Sequence, residues 1–134
     1  MGLRIATVTL VVEDYDTAIA WFVGKLGFDV LEDTVIGAGK RWVKVAPAGG
    51  GVALLLAQAV GDAQRASIGT QAGGRVAFFL ETDDIRRDHN RFLTDGVRFR
   101  EAPRVEPYGT VAVFEDLCGN PWDLIEPLKA TDRD

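Results

Sequence analysis

The chain has a single cysteine and a single histidine among its 134 residues. Cys118 alone permits no intrachain disulfide, and no CxxC pair or Cys/His zinc pattern is present. With His89 as the sole imidazole, a Ser-His-Asp triad has only one residue to build on. The 15 basic residues do not cluster into a phosphate-binding footprint, and 20 acidic residues leave a net charge of −5, which argues against a nucleic-acid partner. No apolar run approaches the length of a membrane span, so no membrane partner is expected. The first residues lack a basic flank followed by a long apolar run, so they do not read as a signal peptide, and the expected location is the cytoplasm. A P-loop, a GxGxxG after a strand, a GxSxG and an HExxH are all missing.

What is present is the composition of an ordinary globular domain: 47% apolar and 26% charged residues. A chain of this size buries roughly two-thirds of its extended surface, enough to fold without disulfides or a structural metal. Ile5 to Val12 is rich in β-branched residues and reads as a strand. Asp14 then suits a helix N-cap, and Tyr15, Ala18, Ile19, Phe22 and Leu26 form a helical stripe that Gly27 ends. Strand-like runs follow at Phe28 to Thr34, Arg41 to Ala46 and Val52 to Ala57, with turns at the glycines of 37–39 and 49–51. Residues 59–74, rich in Ala, Gln and Gly, read as a linker with room for a short helical piece.

The order then repeats. Val76 to Thr82 reads as a strand, Asp83 or Asp84 caps a helix with the stripe Ile85, His89, Phe92 and Leu93, and Gly96 ends it. Val97 to Arg100, Thr110 to Phe114 and Trp122 to Glu126 read as strands, with Asp116 to Asn120 as a turn. A shift of 69 residues lays Asp14 on Asp83 and Gly27 on Gly96. The expected fold is therefore α+β: two tandem βαβββ modules, about 3–58 and 75–128, within a single domain. The sheet faces left open by the two helices would form a cup-shaped mixed sheet around a ligand cavity.

Three segments carry a family resemblance: VTLVVEDYDTAIAWFVGKLGF at 8–28, VAFFLETDDI at 76–85 and GTVAVFEDLCGNPWDLIEP at 109–127. Together they resemble the vicinal oxygen chelate superfamily, the glyoxalase/bleomycin resistance fold that also includes extradiol dioxygenases and fosfomycin-resistance transferases. The spacing of Asp116, Gly119, Asn120, Leu124 and Glu126 is the most specific part. The resemblance implies two metal ligands per module, one on the first strand and one on the last. Counting back from the helix caps places the first-strand ligand at Thr7 in module one and at Val76 or Ala77 in module two. The last-strand ligand of module two falls on Glu126, and its module-one counterpart falls near Ala57 or Gln58. One carboxylate and a possible amide are too few for a divalent transition metal, which wants three or four protein ligands. The expectation is an incomplete metal site and no cofactor, a divalent metal being the alternative.

Glu126 has two readings: a strand-end carboxylate bonded to a backbone group or an Arg, or a pocket carboxylate that binds a cation or acts as a base. Trp122 shares its strand face through the period of two. Thr7, Thr9, Trp42, Phe79, Tyr108 and Trp122 are the candidate lining of a mostly apolar cavity, each aromatic having ordinary core packing as its alternative. Arg41, Lys44 and Arg75 read as solvated charges, Cys118 as inert, and His89 as packed on its helix. The leading expectation is a binder of an amphipathic small molecule, similar to the bleomycin-resistance branch. The resemblance further implies a homodimer. The alternative is a glyoxalase-like lyase or isomerase, or a dioxygenase, using Glu126 with or without a metal.

Overall fold

The computed structural model describes residues 2–129 and divides after Gln71 into two compact units. The first runs β1 (Thr7–Val12), α1 (Tyr15–Leu26), β2 (Asp29–Gly37), β3 (Lys40–Ala46), β4 (Ala53–Gln58) and α2 (Gly61–Ser67). The second runs β5 (Phe78–Glu81), α3 (Ile85–Thr94), β6 (Arg98–Phe99), β7 (Arg104–Glu106), β8 (Gly109–Glu115) and β9 (Pro121–Pro127). Each holds one mixed sheet, in the orders β1-β4-β3-β2 and β5-β9-β8-β6, with β7 also paired to β8. The class is α+β, as the strand and helix pattern predicts. None of the described helices is long and apolar enough to cross a membrane.

Local chemistry explains the helix ends. Asp14 accepts from the Thr17 amide and hydroxyl, both at 2.8 Å, satisfying a donor that the first helical turn leaves unpaired. Those bonds hold its carboxyl below the ordinary aspartate value. Gly27 closes α1 at φ 72°, a left-handed conformation that side chains with a Cβ resist. In the second unit the cap is Asp84, which accepts from the Arg87 amide at 3.1 Å, while Asp83 is ion-paired to the Arg87 guanidinium at 2.7 Å. Gly96 follows α3 with φ 87°.

In the first unit, Ala18, Phe22 and Leu26 of α1 are buried, as are Leu10, Val12, Val43, Val45, Leu54 and Leu56 of the sheet. Leu10 pairs with Leu56, and Leu56 with Val43, so one row of the sheet faces the helix. In the second unit Phe92 of α3 meets Phe114 edge-on at 5.7 Å, and Phe114 stacks on Trp122 at 5.6 Å. Burial of each such side chain stabilises its unit by roughly 1.5–3 kcal/mol.

The span 59–74, read as a linker with room for a short helical piece, contains α2, whereas β7 has no counterpart among the expected strands. Three residues, Arg104, Val105 and Glu106, are too few to show a period of two, and they are ordered by pairing with β8.

Candidate functional site

Because strand side chains alternate, the residues between the helix-facing positions of the first sheet lie on its other face. These include Thr7, Thr9, Leu55, Ala57, Trp42 and Lys44, with Thr9 in register beside Leu55, and Lys44 across from Leu55 and Glu32. At one end of the sheet, Thr9, Trp42, Leu55 and Ala57 join Tyr15, Gln58, the β2–β3 hairpin and the start of α2 around a cavity of about 610 Å³. That volume falls within the ordinary range for small-molecule sites.

Most polar groups in this lining are already committed. The Arg41 guanidinium reaches Asp16 at 2.9 Å and Asp33 at 2.8 Å, and its carbon lies 5.1 Å from the Tyr15 ring centroid. The Arg41 amide donates to the Tyr15 hydroxyl at 3.2 Å. Arg41, expected to be a solvated charge, is thus a neutralised brace between helix and hairpin. Its partners raise its pKa further, and it holds the Asp33 carboxyl below the usual aspartate value. Gln58 donates to the Glu13 carbonyl at 3.3 Å, and Gln64 accepts from the Val60 amide at 2.9 Å. What remains for a ligand is the 38% exposed Trp42 indole, the Thr9 hydroxyl, the Lys40 side chain and aliphatic wall. Such a lining can hold a flat apolar body and exchange one or two hydrogen bonds with it. Tyr15, read from sequence only as part of the helical stripe, belongs to this lining.

The expected site residues do not all gather here. Thr9 and Trp42 share the cavity, whereas Thr7, on the same strand face, is outside its lining. Phe79 belongs to the second unit and is 66% exposed. Tyr108 is exposed in the turn between β7 and β8, its carbonyl accepting from the Leu128 amide at 3.2 Å. Trp122, expected to line a cavity, is instead 3% exposed in the core, between Phe78 and Phe114, with its Nε1 donating to Asp116 at 3.0 Å. Glu126 does share a strand face with Trp122, but that face is the one covered by α3. Its Oε1 accepts from the Ile85 amide at 2.9 Å, at the first residue of the helix. A carboxylate suits that position, where free N–H groups and the helix dipole favour negative charge. Of the two readings of Glu126, this geometry is the backbone-bonded one.

The donor set does not fit a divalent transition metal. Thr7 offers a neutral hydroxyl, Val76 and Ala77 offer no side-chain donor, and Gln58 and Glu126 are engaged as described. Among the described residues no three His, Cys, Asp or Glu side chains form a group able to hold a metal ion. His89 packs edge-on against Phe99 at 4.5 Å.

Sequence reasoning passed over Asp123. It stands on the central strand β9, in register between Phe79 of β5 and Val113 of β8. Trp122 and Leu124 point to the α3 side, so Asp123 points to the other face. It is 7% exposed, and its Oδ1 is buried with no hydrogen-bond partner among the described residues. Burial pushes its carboxyl above the ordinary aspartate value, partly opposed by the Arg104 charge. Arg104 is itself tied to Glu106 at 2.7 Å and to Glu101. The available signal was the acid set among Trp122, Leu124 and Ile125.

Comparison with known proteins agrees with this architecture. Residues 4–124 match the family described as the Glyoxalase/Bleomycin resistance protein/Dioxygenase superfamily. An uncharacterized protein of Shewanella frigidimarina (strain NCIMB 400) is 55% identical over 128 residues, covering 94% of this chain and 95% of that protein. The crystal structure of UcmS2 superposes with a TM-score of 0.82 at 32% identity, covering 94% of this chain and 99% of UcmS2. TnmS3, an antibiotic binding protein from Streptomyces sp. CB03234, gives a TM-score of 0.76 at 30% identity, covering 96% and 99%.

Proposed function

The chain belongs to the Glyoxalase/Bleomycin resistance protein/Dioxygenase superfamily, and on that premise we propose that it binds an amphipathic, partly aromatic small molecule without a resident metal. The observation that carries this reading is the cavity of about 610 Å³ with Trp42 at its wall and the Arg41 guanidinium paired to Asp16 and Asp33. Affinity comes from removing the ligand and the indole from water. A well-packed aromatic contact is worth about 2 kcal/mol or more at the centre of an interface. The likeness to TnmS3, described as an antibiotic binding protein, supports the binding class.

In this reading the protein works in the cytoplasm as a homodimer. The dimer is supported by the exposure of Val30, Leu31, Val35 and Ile36 on the edge strand β2, an apolar surface that association would cover. An enzymatic role for Glu126 gains no support from a carboxylate already spent on a helix amide.

The test is calorimetric titration of the purified protein with phenazine, a neutral planar tricycle. Saturable binding, weakened about tenfold or more in Trp42→Ala, is the expected result. No binding by the wild-type protein, or equal binding by the variant, would overturn the reading.

A further inference from the structure

The cavity of the first unit carries a cation that the fold leaves unpaired. Of the residues around it only Lys40 and Arg41 are charged and none is acidic, in a chain with 20 acidic residues. Arg41 is spent. Its Nε and one terminal nitrogen donate to the two oxygens of Asp33 at 3.1 and 2.8 Å, and the other terminal nitrogen donates to Asp16 at 2.9 Å. The Lys40 ammonium has no ion pair among the described residues. Lys40 shares a strand face with Trp42 through the period of two. Its register partner on β2 is Gly37, which has no side chain to screen or neutralise it. Gln64 adds a second donor, since its oxygen takes the Val60 amide at 2.9 Å and its amide nitrogen is left over. The cavity therefore sets an exposed indole and an aliphatic wall beside a positive charge without a counter-ion. A lysine kept only for solubility would give the charge of a ligand no influence on its affinity, so the two roles separate by measurement.

We infer that Lys40 is a ligand-recognition residue and that the cavity takes an aromatic carboxylate, its ring system against Trp42 and its anionic group accepting from the Lys40 ammonium. The ligand body displaces water beside the ion pair, and a lower local dielectric strengthens the attraction relative to a pair on open surface. A cationic ligand is a poor alternative occupant. No carboxylate lines the cavity to receive it, and Lys40 repels it. A neutral acceptor also pairs with the ammonium, but an anion gains the charge-assisted bond. The inference rests on the small-molecule reading above and adds the ligand's charge and the residue that selects it.

The test uses two probes of one shape. Phenazine-2-carboxylate is an anion at neutral pH, and phenazine-2-carboxamide is its neutral counterpart. Both are titrated calorimetrically into the wild-type protein, Lys40→Met and Lys44→Met. Lys44 controls for net charge, because it lies on the same strand face as Trp42 but across from Glu32 and outside the cavity lining. The wild type is expected to prefer the carboxylate by about fivefold or more. Lys40→Met is expected to bring the two affinities together and to hold carboxamide binding within about twofold of wild type, while Lys44→Met keeps the preference. Carboxamide binding by the wild type without a preference for the carboxylate overturns this inference and leaves the small-molecule reading standing. Binding of neither probe overturns both. A preference that survives Lys40→Met, or that falls equally in Lys44→Met, sinks the proposal. Loss of carboxamide binding in Lys40→Met assigns the residue a structural role and sinks it as well.

Discussion

Replacing Asp123 by leucine should stabilise the isolated protein. The side chain is 7% exposed, and one carboxylate oxygen is fully buried without a partner. An unsatisfied buried polar group costs about 1–3 kcal/mol, and replacing a poorly compensated buried charge with a hydrocarbon of similar volume commonly recovers an amount of that order. For a chain of this length that corresponds to a rise in Tm of roughly 3–10 °C. The effect carries a pH signature. Burial raises the folded-state pKa of Asp123, so the folded state holds its proton more tightly than the unfolded state does. The wild type therefore keeps its full stability below the unfolded aspartate pKa of about 3.9 and loses part of it as pH rises through the folded value. The gap between Asp123→Leu and wild type should be small near pH 4 and widest near pH 7. Urea unfolding followed by far-UV circular dichroism at pH 4, 5, 6 and 7 measures it. A leucine variant less stable than wild type at pH 7, or a gap that does not change with pH, would refute the reasoning.

Three further substitutions probe the frame around the candidate site. Gly109 has φ 151°, and a Cβ there would collide with the Glu126 carbonyl oxygen, so Gly109→Ala should lower stability by about 2 kcal/mol or more in urea melts. Asp116→Ala leaves Trp122 Nε1 and the donors of Asn120 and Cys118 without their acceptor; a loss of about 3 kcal/mol or more is expected, with a changed near-ultraviolet tryptophan signal. Glu126→Gln keeps an oxygen for the Ile85 amide, so stability should change by only about 1 kcal/mol or less, and phenazine affinity should match wild type in calorimetry.

The parts of this protein that were legible in its sequence are those governed by short-range chemistry. An aspartate cap, an i, i+3, i+4, i+7 stripe and a closing glycine each act within one or two helical turns, so Asp14 with Gly27 and the Asp83–Asp84 pair with Gly96 marked α1 and α3. The period of two correctly put Trp122 and Glu126 on a common face. Alternation states which side chains share a side and is silent on which side the helix covers. The packing of Phe92 on Phe114 and of Phe114 on Trp122 decided that, turning Trp122 into core, Glu126 into a helix cap and Asp123 into the outward-facing acid. Strand β7 and the Arg41 brace were hidden for a related reason. Their partners, β8 for one and Asp16 and Asp33 for the other, come together only when the chain folds back on itself. Local order was written in neighbouring residues, while the free chemistry of the site is what remained after long-range contacts had used up the rest.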